Sequence, residues 1–253
     1  MMLAIERRNL IMEKLQNEKR VVVSELSRQF NVSEETIRRD LEKLENDGLV
    51  TKSYGGAIIN ENNNIDLPFN IRKNRNVAGK QRIAELLAQR IKDGDHVMLD
   101  ASSTAVFIAK AIKTKKHLTV ITNSIEILLE LADVEDWHIL STGGIVKEGS
   151  LALVGPHTDK MIASFHVDKA IISCKGLDVA KGFTDSNEMH AETKKTMLAS
   201  AEEKILAIDS SKFERISFTR IGDLKDLTMV VTDKNPGEQW LQVLHAAGVE
   251  CVF

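Results

Sequence analysis

The chain has 253 residues, 43% of them hydrophobic. That is enough apolar material for one full core and a second small one, so two domains are expected. With 34 Lys and Arg against 37 Asp and Glu the formal charge is −3, so bulk charge gives no argument for a nucleic-acid partner, and any such argument must come from pattern.

Cys174 and Cys251 are far apart and outside any CxxC spacing, so neither a disulfide framework nor a cysteine-rich zinc site is suggested, and a reducing cytoplasm fits best. The opening residues carry Glu6, Arg7 and Arg8 with no apolar segment among them, unlike a signal peptide. No apolar run approaches the roughly 18 residues of a membrane span.

In chain order, Leu3, Leu10, Ile11 and Leu15 recur near helical spacing opposite Glu6, Arg7, Glu13 and Lys14, which predicts a helix over 3–17. Ser24 reads as the N-cap of a short second helix ending at Phe30, and Asn31-Val32 breaks it. Ser33 reads as the N-cap of a third helix, with Ile37, Leu41 and Leu44 inward and Thr36, Arg38, Arg39 and Glu42 outward. Asn46-Asp47-Gly48 stops it. Leu49-Val50-Thr51 and Ala57-Ile58-Ile59 then read as strands around a Gly55-Gly56 turn. Three helices and a hairpin over 1–59 make an N-terminal winged helix-turn-helix, and the polar, turn-prone Asn60–Asn64 with Asp66-Leu67-Pro68 starts a linker over 60–76.

From Val77 helices alternate with short buried strands: helix 77–92, strand 96–100, helix 103–112, strand 118–122, helix 124–132 and strand 137–141. The pattern continues less regularly through strand 168–174, helix 188–202, strands 204–208 and 228–232, helix 237–247 and strand 249–253. Such alternation implies βαβ units, so 77–253 is expected to be an α/β domain on a mainly parallel sheet.

The Ser24–Leu41 segment has the two-helix, tight-turn layout that sets a second helix into the major groove. Arg38 and Arg39 offer bidentate donors to guanine or phosphate, and Ser33, Glu35 and Thr36 reach base edges or backbone. Ser24, Lys43, Lys52 and Tyr54 complete the candidate DNA-binding set. The bland alternative is a packing hairpin with a solvated charged face, and a non-DNA interaction module is a third class, separable by its flat response to salt.

In the second domain, Asp100, Ser102, Ser103 and Thr104 lie between a strand and a helix, where hydroxyls and amides converge on an anion such as phosphate. Thr122, Asn123 and Ser124 hold the equivalent place in the next unit, and Gly143-Gly144 follows a third strand, allowing close backbone approach. Ser103 and Ser124 also read simply as N-caps, and Asn123 as a turn residue. Lys175 with Gly176, and Lys212, are candidate phosphate partners or exposed lysines. Glu188 and Glu192 lie i,i+4 on one helix face. His190-Ala191-Glu192 lacks a following Pro-Cys-x-x-Cys, so no metal is indicated. No GxGxxG opening a helix and no GxxxxGK[ST] occurs, so no nucleotide cofactor is expected.

Taken together, Glu6-Arg7-Arg8-Asn9-Leu10-Ile11, Val32-Ser33-Glu34-Glu35-Thr36-Ile37-Arg38-Arg39-Asp40-Leu41 and Tyr54-Gly55-Gly56-Ala57 resemble the N-terminal signature of the DeoR family of bacterial transcriptional regulators. The resemblance continues through Lys80 with Ile83-Ala84, Leu99–Thr104, Val120–Ser124, Gly143-Gly144, Gly155-Pro156 and Asp209-Ser210-Ser211-Lys212. The chain departs from the family in having Lys52-Ser53-Tyr54 where Arg-Thr-His is usual, and Ser102 where Asp-Ser-Gly-Ser-Thr has its glycine. The resemblance implies an effector domain similar in fold to ribose-5-phosphate isomerase that senses phosphorylated sugars or their breakdown products. It also implies a cytoplasmic repressor of a carbohydrate operon, released from operator DNA by that ligand, acting as a dimer or tetramer. The rival expectation is a phosphosugar isomerase using Asp178, Glu188 or Glu192, and Lys195 for proton transfer; Ser173-Cys174-Lys175-Gly176-Leu177-Asp178 lacks the Gly-Ala-Asp-Glu pattern of those enzymes.

Overall fold

A computed structural model describes residues 2–46, 48–60 and 67–253, with the side chains of 16 and 17 left aside. Asp47 of the predicted helix stop and 61–66 of the predicted linker lie outside the described residues. The chain divides into two compact units, Met1–Arg75 and Asn76–Phe253.

The first unit runs α1 (Ala4–Glu18), β1 (Arg20–Val22), α2 (Val23–Phe30), α3 (Glu34–Asn46), β2 (Val50–Ser53), β3 (Gly56–Ile59) and α4 (Phe69–Asn74). The strands form an antiparallel sheet in the order β1-β3-β2. Ile11, Met12, Leu15, Leu26, Ile37, Leu41, Leu44 and Leu49 close the core. The stripe predicted for α3 is the buried one, whereas in α1 the predicted Leu3 and Leu10 are exposed, and Met12 and Arg7 are buried in addition to Ile11 and Leu15. Gly55 holds φ +78, and a Cβ on Gly56 would stand 2.0 Å from Val21 O. The turn therefore needs the first glycine for its backbone and the second for close strand contact.

Three details differ from the sequence reading. Strand β1 was not expected: three residues are too few for an alternation to register. Ser24 is not the N-cap of α2; Val22 is, and the Val23 amide donates to Gly55 O at 2.8 Å, so the wing fixes where the helix starts. Within the predicted linker, Phe69 and Ile71 are buried in α4, which packs on α1. Six residues behind Pro68 are too short to show a helical period.

The second unit runs α5 (Val77–Ala88), β4 (His96–Leu99), α6 (Ser103–Ala111), β5 (Thr119–Thr122), α7 (Ile125–Leu131), β6 (His138–Ser141), β7 (Ile145–Lys147), β8 (Ala152–Val154), α8 (Pro156–Ile162) and β9 (Val167–Ile172). It continues with β10 (Gly176–Asp178), β11 (Gly182–Asp185), α9 (Glu188–Ala199), β12 (Ala201–Ala207), β13 (Thr219–Gly222), β14 (Met229–Val231), α10 (Glu238–Ala246) and β15 (Glu250–Val252). Seven strands form one parallel sheet in the order β15-β14-β12-β9-β4-β5-β6. The chain enters at β4, builds β5 and β6 on one side, then crosses back to β9 on the other. The order therefore reverses between β4 and β9, the place where open parallel sheets bind ligands, beyond the carboxyl ends of the strands. Met98, Ile121, Ala170, Ile172 and Leu206 from the sheet join Ile162, Met197, Leu198, Trp240 and Leu244 from helices in the main core.

The βαβ alternation through β6 is as predicted. Strands β7 and β8, helix α8, and the antiparallel sheet β10-β11-β13 were not. The predicted helix 188–202 ends at Ala199, because Ala201–Glu203 already pair with Val167–Lys169 of β9. Lys169 meets Glu203 there at 3.2 Å. The cap of α6 is Ser102, whose Oγ accepts from Ala105 N at 3.1 Å, and not Ser103.

Candidate nucleic-acid interface and candidate ligand site

In the first unit, Ser33 caps α3, its Oγ accepting from Thr36 N at 3.2 Å and lying 2.9 Å from Thr36 Oγ1. The helix then presents Glu34, Glu35, Arg38 and Arg39 to solvent. Arg38 donates to Glu34 at 2.8 Å, and Arg39 Nε lies 3.5 Å from Glu35. Lys52, on the wing, meets Glu45 at 3.1 Å and donates its amide to the same carboxylate at 2.8 Å, which lowers the Glu45 pKa. Lys43 is exposed on the same helix, and Tyr54 at the wing tip is fully exposed. Ser24 is half-buried, its carbonyl accepting from Arg28 Nε at 3.2 Å. Behind α3, buried Asp40 pairs with Arg7 of α1 at 2.5 Å and with Arg8 at 3.6 Å. Helix α3 is thus anchored by a buried ion pair behind it and carries exposed ones in front.

In the second unit, the strands being parallel, the loops after β4, β5, β6, β9 and β12 all open at one edge. These loops hold 100–104, 122–124, 142–144, 173–176 and 209–212. Asp100 sits at the reversal. Its Oδ1 accepts from Ser102 N at 3.1 Å and its Oδ2 from Ser173 N at 3.0 Å, so one buried carboxylate ties the ends of β4 and β9 together. Lys194 of α9 reaches the same point, 2.5 Å from Asp185 and 3.5 Å from Asp100. Burial opposes ionisation of Asp185, but the charges of Lys194 and then Lys175 overcome it and hold Asp185 down to about 2. Burial likewise opposes the Lys194 charge, and Asp185 and Asp100 push its pKa up. Burial, with a smaller push from Asp185, carries the Cys174 thiol beside them up to about 12 against the pull of Lys194 and Lys212.

The hydroxyls and amides of the β5 loop are largely used internally. Thr122 Oγ1 donates to Leu99 O at 2.7 Å and accepts from Ser124 N at 3.1 Å, and Ser124 caps α7 by accepting from Ile127 N at 3.2 Å. Asn123 Nδ2 donates to Leu153 O at 2.9 Å, while its buried Oδ1 has no hydrogen-bond partner among the described residues. Gly144 holds φ +117, and a Cβ there would meet Thr158 Oγ1 at 2.1 Å. Thr158 in turn donates to Gly143 O at 2.6 Å, so it is Gly144 that lets α8 approach, while a Cβ on Gly143 would meet open space. Gly176 is equally constrained, with Arg215 O 2.3 Å from a notional Cβ. Lys175 and Lys212 are half-buried at the same edge. Burial opposes ionisation of Asp209, and Lys212, Ser211 and Lys80 lower its pKa.

Glu188 and Glu192 are not brought to this edge's buried centre. Both are exposed, and Glu192 pairs with Lys195 at 2.7 Å. Asp178 accepts from Ala180 N and Lys181 N at 2.9 and 2.8 Å in a hairpin turn. The residue of α9 that does reach the centre, Lys194, was missed, as was Asp185. A signal existed: Lys194 falls in the stripe His190, Ala191, Lys194, Met197, Leu198, all buried, and a lysine inside an apolar stripe announces a buried partner. Among the described residues no group of three or more His, Cys, Asp or Glu could hold a metal, and no helix is long and apolar enough to cross a membrane. A separate groove of about 650 Å³ at the amino edge of the sheet, lined by His96, Trp137, His138, Phe165 and His166 among others, contains none of the sequence-predicted residues.

Residues 7–63 match the DeoR-like helix-turn-helix domain, and residues 75–234 match the DeoR C terminal sensor domain. The chain is 43% identical over 232 residues to the HTH-type transcriptional regulator YulB of Bacillus subtilis, covering 92% of this chain and 90% of that protein. It is 34% identical over 230 residues to the L-fucose operon activator of Escherichia coli K12, covering 90% and 94%. It is 30% identical over 250 residues to the putative aga operon transcriptional repressor of Escherichia coli O157:H7, covering 98% and 93%.

Proposed function

Since the chain belongs to the DeoR family of transcriptional regulators, we propose that it controls a carbohydrate operon, as a repressor released from operator DNA when a phosphorylated sugar or related metabolite binds its α/β domain. The functional modules are then the winged helix-turn-helix of 1–59 and the sensor of 77–253. One observation carries the ligand half of this reading. The polar loops 100–104, 122–124, 142–144, 173–176 and 209–212 gather at the carboxyl edge of one parallel sheet, on both sides of its reversal. The first-turn amides of α6 at Ser103 and Thr104 have no carbonyl within the helix to serve, and they favour an anion. Lys175 and Lys212 supply positive charge beside them. Lys194, neutralised by two carboxylates, shapes the loops and does not meet the phosphate.

Catalysis has no place in this reading: the relatives are regulators, Glu192 is paired with Lys195, and Asp178 is occupied in a turn. The protein acts in the cytoplasm as a symmetric oligomer, since paired recognition helices must span about 34 Å or a multiple of it. Release requires the ligand to prefer the arrangement that binds DNA less well. The test is a thermal-shift panel of phosphorylated sugars and their unphosphorylated counterparts on the wild type and Arg38→Ala. Expected are stabilisation by a phosphorylated compound in both proteins, and loss of duplex binding in Arg38→Ala alone. Duplex binding untouched by the substitution, or a ligand response lost with it, overturns the assignment.

A further inference from the structure

Each arginine on the outer face of α3 is held by a glutamate one helical turn before it: Arg38 by Glu34 at 2.8 Å and Arg39 by Glu35 at 3.5 Å. All four side chains are exposed, from 47% for Glu34 to 77% for Arg39, so these are weak pairs in high dielectric that exchange partners readily. The wing repeats the arrangement with Lys52 and Glu45. These pairs therefore set three carboxylates, Glu34, Glu35 and Glu45, against three cations, Arg38, Arg39 and Lys52, on the face that would meet DNA. A carboxylate is repelled by phosphate and finds an acceptor's role in the major groove only at a base amino group.

We propose that Glu34 and Glu35 are specificity-determining residues, holding Arg38 and Arg39 in closed pairs that a correctly placed guanine opens and that unrelated DNA does not. This rests on the DNA-binding reading above. On unrelated sequence the guanidinium gains only a phosphate contact, and opening the pair leaves a carboxylate facing the backbone. On a matching site it gains bidentate contact to guanine O6 and N7, which repays the opening. The glutamates thus lower affinity for bulk DNA more than for the operator, widening the ratio on which finding a site depends.

The experiment measures full-length protein, by fluorescence anisotropy across a salt series, on a duplex enriched from a random pool by the wild type and on a scrambled duplex of the same composition. Glu34→Gln with Glu35→Gln is expected to raise scrambled-duplex affinity by roughly tenfold at low salt and to steepen its salt slope by about 0.9 for each phosphate newly engaged. Affinity for the enriched duplex should rise far less. Glu34→Asp, which keeps the charge and shortens the reach, should move the ratio the same way by less. The control is Glu13→Gln with Glu25→Gln, the same charge change at exposed positions of α1 and α2, and it should leave the ratio unchanged. Equal gains on both duplexes, a fall on both, no change, or a control that reproduces the effect overturns the inference while leaving DNA binding intact. A wild type that binds neither duplex in a salt-dependent way overturns the DNA-binding reading, and the inference with it.

Discussion

The two units use charge in opposite ways. On the outer face of α3 the pairs are one turn apart, exposed and local: Glu34 with Arg38, Glu35 with Arg39. At the sheet reversal of the second unit, Lys194 is locked to Asp185, nine residues away, and to Asp100, which comes from another strand end altogether. Exposed pairs contribute little to stability and can be traded for a ligand's atoms. Buried pairs contribute little net energy relative to an apolar core, but removing one partner strands the other in a medium that cannot solvate it. A surface that must let go of DNA suits the first kind, and the loops proposed above to hold a small ligand, which would have to keep their shape, suit the second.

The largest effect is therefore expected at Lys194. Lys194→Met leaves Asp185 and Asp100 buried without their cation and should cost about 3–5 kcal/mol. Both tryptophans, Trp137 and Trp240, lie in the second unit, so urea unfolding followed by tryptophan fluorescence reads that unit alone. A loss near zero would mean the cluster is solvated and the contrast false. Arg7→Met asks whether burial, and not the unit, decides. Arg7 and Asp40 are buried in the first unit, Arg8 lies within 3.6 Å of Asp40 to compensate in part, and the expected loss is about 3 kcal/mol. Hydrogen exchange of α1 and α3 amides would register it, with the tryptophan signal unmoved.

The same contrast explains what was legible in the sequence. The three helices and the hairpin of the first unit were readable where their signals are local: the Ser33 cap, the Ile37, Leu41, Leu44 stripe and the Gly55-Gly56 turn each act within a few positions. The strand-to-helix placement of 100–104 and 122–124 was legible because each follows an apolar strand and opens a capped helix. Lys194 and Asp185 were not found, since their meaning comes from a crossover that returns the chain beside β4. The small sheet β10-β11-β13 escaped for a related reason: β13 reaches β11 across α9 and β12, and short strands paired over such distances leave no period to read. Ser24 and Ser103 show a finer limit. A serine near a helix start announces a cap, but a tertiary contact, such as Val23 N to Gly55 O, decides which residue takes the position.

Acid supplies a graded test of the buried cluster. Asp185 falls from its ordinary 3.8 to about 2 in the folded protein, so its contribution to stability is complete above about pH 4 and is lost as pH falls through about 2. Tryptophan-detected stability should drop over that window in the wild type, and the drop should be shallower in Asp185→Asn. Lys194, raised above its ordinary 10.5, contributes fully below that value and loses its contribution only in alkali, so it adds no slope between pH 4 and 8. An equal acid slope in the two proteins would place the titration elsewhere.

Smaller effects belong to the outer face of α3. Ser33→Ala removes one capping acceptor and should cost about 1 kcal/mol. Glu34→Gln should change stability by no more than about 0.5 kcal/mol, because Arg38 regains in water most of what it loses from its partner. That near-silence is the sharpest point of the comparison. A stability loss at Glu34 approaching that at Arg7 would mean the exposed pair is held as firmly as the buried one. Its arginine would then not be available to exchange partners, and the outer face of α3 would be built like the sheet reversal after all. Thermal melting of Glu34→Gln beside Arg7→Met, in low and in high salt, separates the cases: an exchangeable pair loses its small effect as salt rises, and a locked one keeps it.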